Sequence, residues 1–215
     1  MQTRQTLSAL AVVLVAVTAG CGFITGQSAL AFDASPATVG DGALSETGYE
    51  EVTVTNSTVT RNYSAAGQTR QVEVTNQRAR YERAVDLGPL GSKRAAVFVT
   101  FASPEVNAVG QTFNPISDMS TRQVLNQFES QYEGLSVGDR VDNRSVRALG
   151  GQRTLEQFQG TATLSGSEVD VAVHAAKFQH EGDYIVAVGI YPQRIDGEAE
   201  SVVALTEALE HDGED

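Results

Sequence analysis

The chain has 215 residues, with 27 acidic and 15 basic side chains and a formal net charge of −12. That balance argues against nucleic acid and anionic membrane surfaces as partners for the chain as a whole. A single cysteine excludes an internal disulfide, and the lack of tryptophan removes the usual sugar-stacking platform.

Residues 1–20 have the grammar of an export leader. Arg4 gives a positive start, and Leu7 to Val17 is an apolar run too short to span a bilayer as a stable helix. Small residues Thr18, Ala19 and Gly20 then precede Cys21. The stretch Val17-Thr18-Ala19-Gly20-Cys21 resembles the lipobox of prokaryotic lipoproteins. The resemblance implies removal of the leader and lipid attachment at Cys21. It also implies a membrane partner through that anchor, and a domain on the extracellular side of the cell membrane. Two acyl chains hold durably, since each buried methylene contributes roughly 0.8 kcal/mol. An ordinary signal peptide with a chance cysteine is the alternative.

Residues 22–48 are rich in Gly, Ala, Ser and Thr and read as a linker and lead-in, with partial packing of the later half. Glu50–Thr60 alternates and is β-branched, which predicts a strand. Gln68–Val85 continues the pattern after a turn at Gly67. Lys93–Ala102 is nearly all apolar in its later part and reads as a central strand ended by Ser103-Pro104. Gln111–Asp118 reads as an Ω-like loop.

Ser120–Tyr132 predicts a helix. Ser120 and Gln123 have capping-box spacing, Met119 and Val124 suit a hydrophobic staple, and Val124, Leu125, Phe128 and Tyr132 form one stripe. Gly134 suits a left-handed closure. A strand follows Asp139-Arg140. Arg153–Leu164, Glu168–His180 and Asp183–Tyr191 then read as consecutive hairpin partners across short glycine turns. A second helix is expected from about Glu198 to His211 with Asp196 as N-cap, before a fraying end.

These elements predict one α+β domain over residues 49–211, an antiparallel sheet with two main helices packed on it. The leader is 1–20, the lipidated cysteine and lead-in 21–48, and an acidic tail 212–215. Four stretches carry a wider resemblance: Glu46-Thr47-Gly48-Tyr49, Gly110 to Pro115, Tyr132 to Asp139, and Tyr191-Pro192-Gln193-Arg194. On them the chain is similar to a family of haloarchaeal lipoproteins of uncharacterised function. Scarce lysine, with only Lys93 and Lys177, and surplus acid agree with such a source. In molar salt the Debye length is roughly 3 Å, so surface carboxylates repel one another little. The order of elements is also similar to PsbP-like domains, extracytoplasmic or lumenal α/β/α sandwiches used mainly for binding.

No stretch supplies a catalytic set, a metal centre or a cofactor site. Gly134-Leu135-Ser136-Val137-Gly138 matches the hydrolase nucleophile elbow, but that motif needs a strand before the serine and a helix after it. Here the order is reversed, so a small hydrolase using Ser136 is the alternative function, beside a passive envelope protein. His174 and His180 stand six residues apart on one strand, roughly 20 Å, too far to share a metal. The binding candidates are Arg78 and Arg80, on one face of a strand, and Phe113 and Asn114 in the loop before the helix. Asn56, Asn62 and Asn143 head N-x-[ST] sequons and are candidate glycan sites. The reading is a lipid-anchored, non-catalytic binding module for a small ligand or an envelope protein.

Overall fold

A computed structural model describes residues 29–213, apart from 66–67, 87, 89–90, 109–110, 115, 131, 133 and 165. The elements in chain order are β1 (Leu30–Asp33), β2 (Thr38–Val39), α1 (Asp41–Thr47), β3 (Glu50–Ala65), β4 (Gln68–Asp86) and β5 (Ser92–Pro104). Then come β6 (Val106–Ala108), β7 (Gln111–Phe113), α2 (Thr121–Glu129), β8 (Leu135–Ala148), β9 (Gly151–Leu164) and β10 (Ser167–His180). The last are β11 (Asp183–Pro192), α3 (Glu198–Glu207) and β12 (Leu209–Glu210).

Seven long strands form an antiparallel sheet in the order β3-β4-β5-β11-β10-β9-β8. Each half is built of consecutive strands, β3 to β5 on one side and β8 to β11 on the other, and β5–β11 joins the two. β3 pairs along one edge of β4. The other edge is shared: β5 takes Gln77–Asp86, and β1 adds in parallel at Val72–Thr75. The predicted strands all form, most of them a residue or more longer than predicted.

β11 reads YIVAVGIY because both its faces are covered. Ile185, Ala187 and Tyr191 point to one apolar cluster, and Val186 and Val188 to the other. The first cluster packs under α3, through Val202 and Leu205, and under α1, through Ala43 and Leu44. Gly189 lets α3 approach: a Cβ there would lie 2.6 Å from the Val202 side chain. The second cluster packs under α2, through Val124 and Leu125. The domain is thus predominantly β, with three helices among the described residues, the short α1 adding to the two main helices expected.

Several expectations need correction. The later half of the lead-in packs on the domain as expected, and is built into it more fully than partial packing implies. Asp41–Thr47 is helical, and Leu30 and Phe32 pack on Val72 and Val106. The first predicted helix starts where the capping box puts it, with the Ser120 side chain accepting from Gln123 N–H, but it stops at Glu129. Phe128 and Tyr132 still stack, with ring centroids 6.4 Å apart. The last helix ends at Glu207 and has Gly197, not Asp196, at its N-cap. The residues just after it do not fray: Leu209–Glu210 pairs with Thr38–Val39, and His211 is 6 % exposed. Part of the predicted loop is extended, with β7 pairing β6.

Candidate functional site

A single nine-residue helix, α2, covers a face of seven strands. Clefts therefore open on its two flanks, and Phe128 lines both. One, about 330 Å³, lies among Thr55, Arg78, Phe101 and Gln127. The second, about 200 Å³, has a floor of Val97, Val99, Val188 and Ile190, with Arg80 and Arg94 beside it. Strand register explains the grouping. Thr55, Arg78, Phe101 and Val186 are successive cross-strand partners, and so are Arg80, Val99 and Val188. Such partners share a face of the sheet.

The helix is held in place by two devices. The capping box fixes its first turn. From β10, the Lys177 ammonium donates to the carbonyls of Ile116, Ser117 and Met119 in the loop just before it. One of the chain's two lysines is thus spent as an internal clamp.

The arginines divide by strand parity. Arg83 leaves for the opposite face, while Arg78 and Arg80 remain on the cleft side. Arg80 pairs with Glu82, which also faces Arg94 at 3.8 Å. Its Nε is buried without a hydrogen-bond partner among the described residues. An unpaired buried donor costs about 1–3 kcal/mol. Arg78 is exposed and has no ion-pair partner among the described residues.

The other sequence candidates scatter. Asn114 is 5 % exposed, and its amide donates to Ser103 and Pro104 while its oxygen accepts from Ile116 N–H. It anchors the loop from within and has no group left for a ligand. The Phe113 side chain and Cys21 lie outside the described residues. Asn56, Asn62 and Asn143 are all exposed, as a glycan acceptor must be, and Asn56 also lines the larger cleft. Ser136 is exposed inside β8, opposite Thr161. No hydrogen bond joins its hydroxyl to a histidine or carboxylate among the described residues.

Two polar groups under α3 carry no signal in the sequence. Glu198, fully buried at the start of α3, meets the Arg83 guanidinium and accepts from the Tyr49 hydroxyl at 3.0 Å. Arg83 also donates to the Thr47 carbonyl at 3.0 Å. Burial first, and Glu198 next, push the Tyr49 pKa up, so the phenol stays protonated. Nearby, His174 Nε2 and the Tyr191 hydroxyl are 2.8 Å apart with the rings stacked. His174 is 1 % exposed, and desolvation pulls its pKa down to about 4.

A third group sits at the turn between β10 and β11. Asp183 Oδ2 accepts from Ser35 N–H at 2.9 Å and lies 3.0 Å from His211 Nε2. His211 Nδ1 is 3.0 Å from His180 Nδ1. Nothing in the sequence signals this chain, because it joins residues that the β2–β12 pairing brings together from distant positions.

Fold and clefts together define a single-domain, predominantly β protein: one antiparallel sheet, helices on both faces, and an arginine-bordered opening on the less covered face. Residues 36–210 match the family described as "Domain of unknown function (DUF6517)", and the chain belongs to that family. No curated protein is significantly similar in sequence. Among solved structures, a Pseudomonas aeruginosa protein of unknown function is 12 % identical, over 62 % of this chain and 83 % of that one, with a TM-score of 0.26.

Proposed function

We propose that this protein is a non-catalytic binding module, held on the outer face of the cell membrane by lipid on Cys21, and that its clefts beside α2 receive the ligand. The observation that carries the reading is the second cleft, which sets Arg80 and Arg94 beside an apolar floor. Pockets of that kind take ligands by apolar burial and orient them through a few polar groups. The ligand class that fits is an apolar or aromatic body carrying an anionic or carbonyl acceptor, whether a small molecule or a side chain of an envelope protein. The resemblance of the sequence to PsbP-like domains, which are used mainly for binding, also favours a binding role. Ser136, inside a strand and with no base hydrogen-bonded to it among the described residues, gives the hydrolase reading no support.

A photo-crosslinking residue at Thr163, an exposed position lining the second cleft, tests the site in intact cells at high salt. We expect one reproducible adduct from Thr163, lost when Arg80→Ala is added, and none from the same group at Ser45 on the opposite face. Equal labelling from both positions, or an adduct indifferent to Arg80→Ala, overturns the assignment. The anchor has a separate test: Cys21→Ser should release folded protein to the medium, and continued membrane retention would refute lipid attachment.

A further inference from the structure

We propose that His180, Glu181 and His211 form a binding site for one divalent transition-metal ion of the zinc class, oriented by Asp183. One ligand atom from each of the three residues lies within 4.8 Å of the others. The two Nδ1 atoms are 3.0 Å apart, close to the roughly 3.4 Å that two nitrogens subtend at a tetrahedral ion with bonds of about 2.0–2.1 Å.

The groups behind the histidines support this geometry. Asp183 is 6 % exposed and accepts from Ser35 N–H, so its carboxylate is fixed before any ion arrives. Donation from His211 Nε2–H to that carboxylate leaves the lone pair on His211 Nδ1, aimed at His180. A carboxylate that sets the tautomer of a ligating histidine is the usual partner in metal sites. In the empty site His180 Nδ1–H completes the bond to His211. When an ion binds, that proton moves to Nε2 of the half-buried His180 ring, and both Nδ1 atoms turn to the metal.

Backbone geometry adds an independent observation. Glu181 has φ of +46° and Gly182 φ of +88°, so the turn needs left-handed residues at both centres. Asn, Asp or Gly normally fill the first of these. Glutamate is a strained choice there, and it brings a carboxylate beside the two imidazoles. Glu181 Oε2 also accepts from Gly213 N–H at 2.7 Å, so the segment after β12 folds back over the turn. Two nitrogens and one carboxylate suit zinc-class ions. Calcium and magnesium prefer all-oxygen shells.

The site is separate from the clefts beside α2 and does not rest on the proposed binding role. Purified full-length protein, stripped of metal by a chelator, is titrated with Zn²⁺ alone at high ionic strength, which suppresses loose binding to surface carboxylates. We expect saturable uptake of one equivalent and an apparent Tm that rises with Zn²⁺. Co²⁺ in its place should give the intense visible bands of a four-coordinate site. His180→Ala, at a half-buried ring, should lower affinity at least 100-fold with an unchanged circular dichroism spectrum. Asp183→Asn should lower it about 10–100-fold. Should Asp183→Asn not fold, Glu181→Gln at the exposed turn takes its place, with at least a 10-fold loss expected. Absence of one-equivalent uptake, or uptake unchanged in His180→Ala, overturns the site.

Discussion

Arg83→Ala should destabilise the domain by about 3 kcal/mol, seen as a lower midpoint in chemical denaturation with an unchanged slope. The cause lies in Glu198, which is 0 % exposed and whose one cationic partner among the described residues is Arg83. Removing the guanidinium leaves a carboxylate in an apolar layer with only the Tyr49 hydroxyl to donate to it. Losses of about 3–5 kcal/mol are usual when one member of a buried pair is removed. The partial exposure of Arg83, whose side chain is 27 % accessible, favours the lower end. For a domain of this size the loss corresponds to a fall in Tm of roughly 6–12 °C. Arg83→Met combined with Glu198→Leu should recover most of it, because the burden is the unpaired charge and not the lost contact. A loss under about 1 kcal/mol for Arg83→Ala alone would show that Glu198 has another way to be satisfied.

The second large effect is a dependence on pH. His174 titrates near its ordinary 6.5 in the unfolded chain and near 4 in the folded one. Desolvation is the main cause. Arg144 on β8 acts in the same direction, and Asp142 on β8 and Glu200 on α3 oppose it. Between these two values the unfolded state binds a proton that the folded state refuses. The stabilisation is therefore fully present above pH 6.5, declines as the pH falls, and is gone below pH 4. The span corresponds to a loss on the order of 3 kcal/mol. His174→Gln, which keeps a polar partner for Tyr191, should flatten the curve by that amount. Parallel curves for the two proteins would show that the imidazole accepts its proton without unfolding.

Local signals in the chain are strong where they rest on short-range chemistry. Ser120 and Gln123 mark a helix start because the two side chains satisfy backbone donors three residues apart. The Glu181-Gly182 and Ser165-Gly166-Ser167 turns mark hairpins because adjacent strands need nothing else. α1 escapes notice because its seven residues, DGALSET, carry no amphipathic repeat of sufficient length. β8 begins earlier than expected because Gly138 to Asn143 is charged and irregular, and the pairing itself shifts register twice there. The clefts are half legible. Strand parity puts Arg78 and Arg80 on one face, but no sequence rule says that a single nine-residue helix will leave that face partly open. Asn114 looks like a ligand group because loops often carry function. Its burial depends on Ser103 and Pro104, at the end of β5, closing around its amide. The buried Glu198 and the His211 chain depend on contacts spanning much of the molecule, and nothing local announces them.

The pairing of Leu209–Glu210 with Thr38–Val39 also orders events in time. The hairpins β3–β4 and β8–β9 join neighbouring segments of the chain, and each can zip as soon as its second strand has been made. The central seam between β5 and β11 must wait, and the clasp between the domain's two ends must wait until residue 210 has been made. Closure of that kind carries a large loop-entropy cost and comes late. The sheet is thus finished only when its two halves meet along β5–β11 and the clasp joins its two ends.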